Sequence, residues 1–146
     1  MPVNDQAVGK TYAPTTYAVG REKVKEYALA TGETNPLHLD VDAARKAGHA
    51  DIVAPPMFCV VYSAPAMAPA ILDPDVGINF ALMVHGGQEF RWGPLAVAGD
   101  EIQTAVNVKS ITERDGKGFY VFESTSTNQR GETVCVGTWT NIVRGV

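Results

Sequence analysis

The chain has 146 residues, of which 45% are hydrophobic and 19% charged, with a formal net charge of −4 at pH 7. This composition is typical of a soluble globular protein, and the acidic balance argues against a nucleic-acid binder. A chain of this length can bury a substantial core, so we expect one domain spanning residues 1–146.

The cysteines and the N-terminal segment bear on the cellular compartment. Cys59 and Cys135 both lie in apolar runs, which predicts buried reduced thiols, and no zinc-type spacing of cysteines occurs. The first twenty residues lack the charged region and apolar run of a secretory signal. We therefore expect a cytoplasmic protein that needs no metal.

The first half of the chain favours short helices. The predicted elements are a strand over residues 10–18 and helices over residues 19–31 and 41–47. Gly32 stands where a left-handed residue would end the first helix. Asp40 or Asp42 has the side chain needed to begin the second helix.

An uncharged segment, residues 52–72, is long enough to suggest a membrane span, but its four prolines argue against one. A helix buried within a soluble core fits better. We expect this helix to run from Pro56 to about Ala64 and to be broken or kinked by Pro65 and Pro69.

The second half of the chain is typical of an antiparallel sheet. Strands are predicted over residues 78–92, 101–111, 118–127 and 132–143. Gly86-Gly87 indicates a bulge in the first of them, and Asp115-Gly116 a hairpin turn. A sheet wrapped around one buried helix accommodates both halves, so the sequence predicts an α+β chain with the hotdog fold.

The segment from Glu33 to His38 carries the strongest functional signal. A carboxylate and an imidazole lie five positions apart, with Asn35-Pro36 between them. Proline stiffens this loop and keeps the residue before it extended. An extended loop can direct both side chains into one cleft, where they would form an acid–base pair. The alternative for each residue alone is a solvated carboxylate and a loop histidine.

Residues 31–40, Thr-Gly-Glu-Thr-Asn-Pro-Leu-His-Leu-Asp, resemble the hydratase motif of MaoC-like proteins, the (R)-specific enoyl-CoA hydratases and 3-hydroxyacyl thioester dehydratases. The likeness continues through Ala54-Pro55-Pro56-Met57-Phe58 and ends with Pro94 and Gly99-Asp100. The Ala-Pro-Pro segment is more similar to the N-terminal MaoC-type dehydratase subfamily. That subfamily resembles the subunits of the actinobacterial type II fatty-acid synthase dehydratase, in which one subunit is catalytic and its partner holds the acyl chain.

The resemblance assigns roles to individual positions. The family's Asp/His pair falls on Glu33 and His38, so the carboxylate stands one methylene further out. A glycine that donates its N–H to the thioester oxygen in active hydratases corresponds to Pro56, which has no N–H. The N–H of Met57 is the nearest substitute. Asn35 either orients the loop or binds water, or is simply a turn residue.

The remaining candidates are weaker. Tyr62 and Ser63, on the central helix, would line an acyl tunnel or simply pack in the core. His49 and His85 are expected to be structural.

Two functions follow from the resemblance. The first is reversible hydration of trans-2-enoyl thioesters of CoA or acyl carrier protein by Glu33 and His38, without a cofactor. The second is a non-catalytic subunit that holds the acyl chain for a catalytic MaoC-like partner. Either function implies a homodimer or a heterodimer, because a single hotdog domain leaves a sheet edge open.

Overall fold

The computed structural model describes residues 2–146, which form three α-helices and one antiparallel sheet. The helices are α1 (Arg21–Ala30), α2 (Val41–Lys46) and α3 (Cys59–Ile71). The strands are β1 (Thr15–Ala18), β2 (Met83–Trp92), β3 (Glu101–Arg114), β4 (Lys117–Thr127) and β5 (Thr133–Arg144), in the order β1-β3-β4-β5-β2. Short 3₁₀ helices cover Asp5–Ala7, Pro36–His38, Pro56–Phe58 and Phe80–Leu82. This is the predicted hotdog fold, with α3 as its central helix.

The sheet forms because β3, β4 and β5 alternate buried and more exposed side chains, as one covered face requires. The predicted hairpin turn is confirmed, since Asp115 and Gly116 both have positive φ, at 52° and 68°. The covered face carries large side chains such as Phe122 and Trp139. The core therefore lies between this face and α3.

The central helix is longer than predicted. It begins with the 3₁₀ turn at Pro56 as expected, but it continues through Pro65 and Pro69 to Ile71, so the predicted break is wrong. The two prolines lie one turn apart on the exposed side of α3. Water can reach the carbonyl groups that lose their N–H partners there, which makes the prolines tolerable.

The ends of the first two helices lie where the neighbouring residues predict them. Gly32 has a φ of 73° and ends the turn after α1, as predicted. Asp40 begins α2, because its Oδ1 accepts the N–H of Asp42 at 2.9 Å. The strand predicted over residues 10–18 is shorter, with only Thr15–Ala18 in the ladder.

β2 occupies an edge of the sheet and carries the predicted bulge, which lies between His85 and Gly87. The strand begins at Met83 rather than at residue 78, because residues 80–82 form a 3₁₀ turn. Helix α3 packs mainly over β1, β3 and β4. The β2 region is consequently rich in exposed apolar side chains, which are Phe80, Leu82, Val84, Trp92 and Leu95.

Cys59 and Cys135 are both buried free thiols, as predicted. Within residues 2–146, no helix has the length and apolar character needed to cross a membrane.

Candidate functional site

The loop after α1 builds one wall of the candidate site. The Oδ1 atom of Asn35 accepts the N–H of Leu37 at 3.1 Å and so begins the 3₁₀ turn Pro36–His38. An asparagine before proline favours this arrangement, because its side chain replaces a missing backbone partner. The turn brings His38 inward while Asn35 stays exposed at the cleft.

His38 is 7% exposed and fixed at one ring nitrogen. Its Nδ1 lies 2.6 Å from the carbonyl oxygen of Val53. Because a carbonyl oxygen only accepts hydrogen bonds, Nδ1 carries the proton in the neutral ring and Nε2 keeps a lone pair. Among residues 2–146 no group hydrogen-bonds to Nε2. The ring is thus fixed in orientation, with Nε2 available to accept a proton, as a general base requires.

Glu33 is oriented differently. Its Oε1 accepts the backbone N–H groups of Thr34 at 3.2 Å and Asn35 at 3.3 Å, so the carboxylate folds back onto its own loop. Within the described part of the chain it makes no hydrogen bond to His38. The structure therefore leaves the two residues apart, although both belong to the same loop.

The cleft itself has a volume of about 450 Å³. Its lining residues are Asn35, Leu37, His38, His49, Val53, Pro56, Pro94 and Leu95. It thus brings together three of the predicted site residues, Asn35, His38 and Pro56, while Glu33 does not line it. His49 is an additional imidazole here, at a position the sequence suggested was structural. An apolar cleft with a few polar groups suits an organic ligand.

The start of the central helix closes the cleft on one side. Pro56 lines it and offers no N–H, while the N–H of Met57 meets no acceptor among residues 2–146. The indole Nε1 of Trp92 donates to the carbonyl oxygen of Pro56 at 2.8 Å. Trp92 was missed by sequence reasoning, because no local pattern links it to a residue 36 positions away.

Tyr62 lies in the core rather than in the cleft. It is buried and packs edge-on against Phe58, with ring centroids 6.3 Å apart. Burial raises the pKa of its hydroxyl, which keeps the group neutral. These contacts favour the packing role.

Asp100 holds the opposite wall of the cleft. This buried carboxylate accepts the N–H of Val97 at 3.0 Å and the Nε2 amide of Gln129 at 2.9 Å. Ala54 then donates its N–H to the carbonyl oxygen of Ala96 at 2.8 Å. The loop after β2 is therefore tied both to the β4–β5 turn and to the segment before α3.

A second cavity, of about 310 Å³, lies beyond the other end of α3, among residues such as Val76, Tyr120 and Arg144. It contains none of the predicted site residues. Within residues 2–146 there is also no group of three or more His, Cys, Asp or Glu side chains suited to a metal ion. The cleft beside His38 is therefore the candidate site.

Comparison with known proteins identifies the family of this chain. Residues 6–136 match the family model described as "FAS1-like, dehydratase domain region". A UPF0336 protein of Saccharopolyspora erythraea is 40% identical over 146 residues, which cover 99% of this chain and 94% of that protein.

Two solved structures share the fold. A subunit of the C-terminally truncated HadBC (3R-hydroxyacyl-ACP dehydratase) complex from Mycobacterium tuberculosis is 25% identical with a TM-score of 0.84, over 96% of this chain and 99% of that one. A MaoC-like dehydratase is 29% identical with a TM-score of 0.86, over 97% of this chain and 43% of that longer one.

Proposed function

We propose that this chain, which belongs to the FAS1-like, dehydratase domain region family, is one subunit of a two-chain hydratase. The substrates would be (R)-3-hydroxyacyl and trans-2-enoyl thioesters of CoA or acyl carrier protein. In this proposal the chain mainly holds the acyl group, and a second hotdog subunit supplies the working acid–base pair.

The orientation of Glu33 carries the proposal. Two backbone N–H groups of its own loop hold Oε1 of this carboxylate, and among residues 2–146 the side chain makes no hydrogen bond to His38, so Glu33 is not positioned as the partner of the imidazole. The longer side chain adds a displacement of about 1 Å, and misplacement on that scale can cost ~10²-fold in rate. Pro56 removes a donor at the helix start in addition.

The exposed edge of the sheet supports a partner. Among residues 2–146 no strand pairs with the outer edge of β2, and the neighbouring apolar side chains are exposed to solvent. A long edge strand of this kind pairs readily with another chain. The similar HadBC structure is itself a complex of a 3R-hydroxyacyl-ACP dehydratase.

The reaction would be a reversible syn addition of water. One group activates water for attack at C3 of the enoyl thioester, and a proton is delivered to C2. Negative charge gathers on the thioester oxygen in the transition state, so N–H donors near that oxygen lower the barrier. The His38 side of the cleft would hold the thioester end of the substrate.

A second candidate is a hydratase that works without another kind of subunit. The geometry of His38 favours it, because the Val53 carbonyl fixes the ring and leaves Nε2 available as a base. In that case Glu33 would release its backbone contacts when substrate binds and would complete the pair.

Hydration of a short trans-2-enoyl-CoA by the purified chain separates the candidates. The loss of enoyl-thioester absorbance is followed for the wild type, His38→Ala and Glu33→Gln. Equal inactivity of all three, together with calorimetric binding of a saturated acyl-CoA, is the result expected for a binding subunit. Activity that both substitutions remove would establish the second candidate.

A pull-down from the source cells then asks for the second subunit, and the recovered complex is assayed in the same way. A stable, partner-free homodimer that neither binds acyl-CoA nor hydrates enoyl-CoA would contradict both candidates.

A further inference from the structure

The cavity beyond the C-terminal end of α3 is separate from the cleft beside His38. Its volume is about 310 Å³, which is near the lower end of the ~300–1,000 Å³ typical of small-molecule sites. Pro56 precedes α3 and lines the cleft, whereas Pro74 follows α3 and lines the cavity. The two sets of lining residues have no member in common. A ligand in the cavity would therefore occupy a second site.

The inner wall of this cavity is mostly apolar and belongs to the core. Val76, Tyr120 and Val143 line it, and their exposed fractions are 0%, 2% and 1%. All three are members of the hydrophobic cluster between α3 and the sheet. A wall of buried, well-packed side chains is preformed, and it can take up the apolar part of a ligand.

The hydroxyl group of Tyr120 is the polar feature of the inner wall. It makes no hydrogen bond among residues 2–146, yet no fully buried side-chain nitrogen or oxygen atom in that range lacks a partner. The hydroxyl must therefore reach solvent, although its side chain is almost completely buried, and the cavity is the space that Tyr120 lines. Burial raises the pKa of this hydroxyl, so it stays protonated and can donate a hydrogen bond.

The rim of the cavity carries positive charge. Arg144 lines the cavity, is exposed, and forms no ion pair among the described residues. Its cross-strand partner on β4 is Lys117, which forms none in that part of the chain either. Like charges directly opposite each other on neighbouring strands repel. An anion beside Arg144 would relieve this repulsion.

The acidic side chain at the rim already has a partner. Oδ2 of Asp75 accepts a hydrogen bond from Nζ of Lys10 at 2.7 Å, and Lys10 also pairs with Asp73. Asn79, another rim residue, accepts the N–H of Ala81 with its Oδ1 at 3.2 Å, which leaves its NH₂ group as a donor. The side chains available to a ligand are thus donors, and one of them is a cation.

We propose that this cavity binds a small carboxylate with an apolar body, whose oxygen atoms accept a hydrogen bond from the Tyr120 hydroxyl and pair with the Arg144 guanidinium. The apolar body would lie against Val76 and Val143. Hydrogen bonds to a charged acceptor are stronger than those to a neutral one, so the site favours the anion over an uncharged analogue. This inference goes beyond the proposed function and does not depend on it, because the cavity and the cleft have no residue in common.

A pair of ligands that differ in charge tests the inference. Hexanoate and hexanamide have the same apolar chain, but only hexanoate is an anion. In a titration of ¹⁵N-labelled wild-type protein, hexanoate should shift the amide resonances of Tyr120, Val143 and Gly145. It should bind about 10-fold more tightly than hexanamide, as expected for the difference between charged and neutral hydrogen bonds. Equal affinity for the two ligands, no binding of hexanoate, or shifts confined to residues beside His38 would overturn the assignment.

Two substitutions locate the carboxylate. Tyr120→Phe keeps the buried ring and removes the hydroxyl, and Arg144→Gln removes the charge at an exposed position where the fold should be unaffected. Each should weaken hexanoate binding by about 10-fold and reduce the preference over hexanamide. The control is Arg91→Gln, at an exposed arginine on β2 that does not line the cavity, and it should bind hexanoate as the wild type does. Unchanged affinity in Arg144→Gln, or an equal loss in Arg91→Gln, would refute the site.

Discussion

The Nδ1 atom of His38 lies 2.6 Å from the carbonyl oxygen of Val53, which couples a titratable ring to the backbone before the central helix. Removal of the ring leaves a buried carbonyl group without its donor. His38→Ala should therefore lower the free energy of unfolding by about 1–3 kcal/mol in urea titrations.

The matched control is His38→Asn, whose amide NH₂ can take the place of Nδ1–H. It should recover most of the lost stability while still lacking the Nε2 base. If it is as unstable as His38→Ala, the contact with Val53 contributes little to folding.

Glu33 and Pro56 are the two positions that depart from the motif of MaoC-like hydratases, and restoring the family's residues there should give the isolated chain hydratase activity. Glu33→Asp shortens the carboxylate, and Pro56→Gly returns an N–H to the helix start. One such donor is typically worth ~10²–10³-fold in acyl transfer. We expect the double variant to hydrate a short trans-2-enoyl-CoA at least ~100-fold faster than the wild type.

Addition of His38→Ala to that double variant should abolish the gain. A double variant that has the wild-type circular dichroism spectrum and yet shows no hydration would mean that more than these two positions blocks the chemistry.

Asp73 should make stability depend on acid pH. The Lys10 ammonium, at 2.6 Å, and the Tyr12 hydroxyl, at 2.7 Å, lower the pKa of this carboxyl from 3.8 to about 2. Because the folded pKa is the lower one, the stabilisation is present above pH 3.8 and is lost as the pH falls towards 2. Asp73→Asn should be less stable than the wild type at pH 7, and the difference should close near pH 2.

Urea midpoints of the wild type and Asp73→Asn, measured between pH 7 and pH 2, test this dependence. Asp75→Asn, at a far more exposed neighbouring carboxylate, should show a much smaller change. A difference between wild type and Asp73→Asn that stays constant down to pH 2 would contradict the assigned cause.

The isosteric substitution Asp100→Asn should destabilise the fold strongly. Asn in its place has one acceptor oxygen, and its NH₂ group would face either the N–H of Val97 or the amide of Gln129. An unmatched buried donor costs about 1–3 kcal/mol, so the melting temperature of Asp100→Asn should fall clearly. Gln129→Ala removes two hydrogen bonds, to Asp100 and from the N–H of Glu101, but at an exposed position, so it should cost less. Equal melting temperatures for Asp100→Asn and wild type would show that the carboxylate does not brace the wall.

Local chemistry predicted much of the fold. The left-handed glycine at Gly32, the cap at Asp40 and the turn at Asp115-Gly116 all depend on neighbours within a few residues. The break expected at Pro65 failed because the cost of a proline depends on which side of the helix meets water. That side is set by the packing of α3 on the sheet, which no short window contains.

The site was predictable to a similar extent. The motif located the loop, and the structure places Asn35 and His38 in one cleft. The orientation of Glu33 depends on two backbone N–H groups whose positions only the folded loop defines. The contact of Trp92 with Pro56 joins the end of β2 to the start of α3, so it required the sheet register.

The outer edge of β2, which has no partner strand in the described part of the chain, also bears on the solubility of the protein. Such an edge is a template for adding any extended chain, including another unfinished copy of the same protein. Because the rate of such encounters rises with concentration, an excess of this chain over a partner that pairs with β2 favours aggregation. The bulge at His85–Gly87 interrupts the row of free backbone groups and makes indiscriminate addition harder. The solubility of this protein should therefore depend on its ratio to a partner that pairs with β2, as well as on how well it folds.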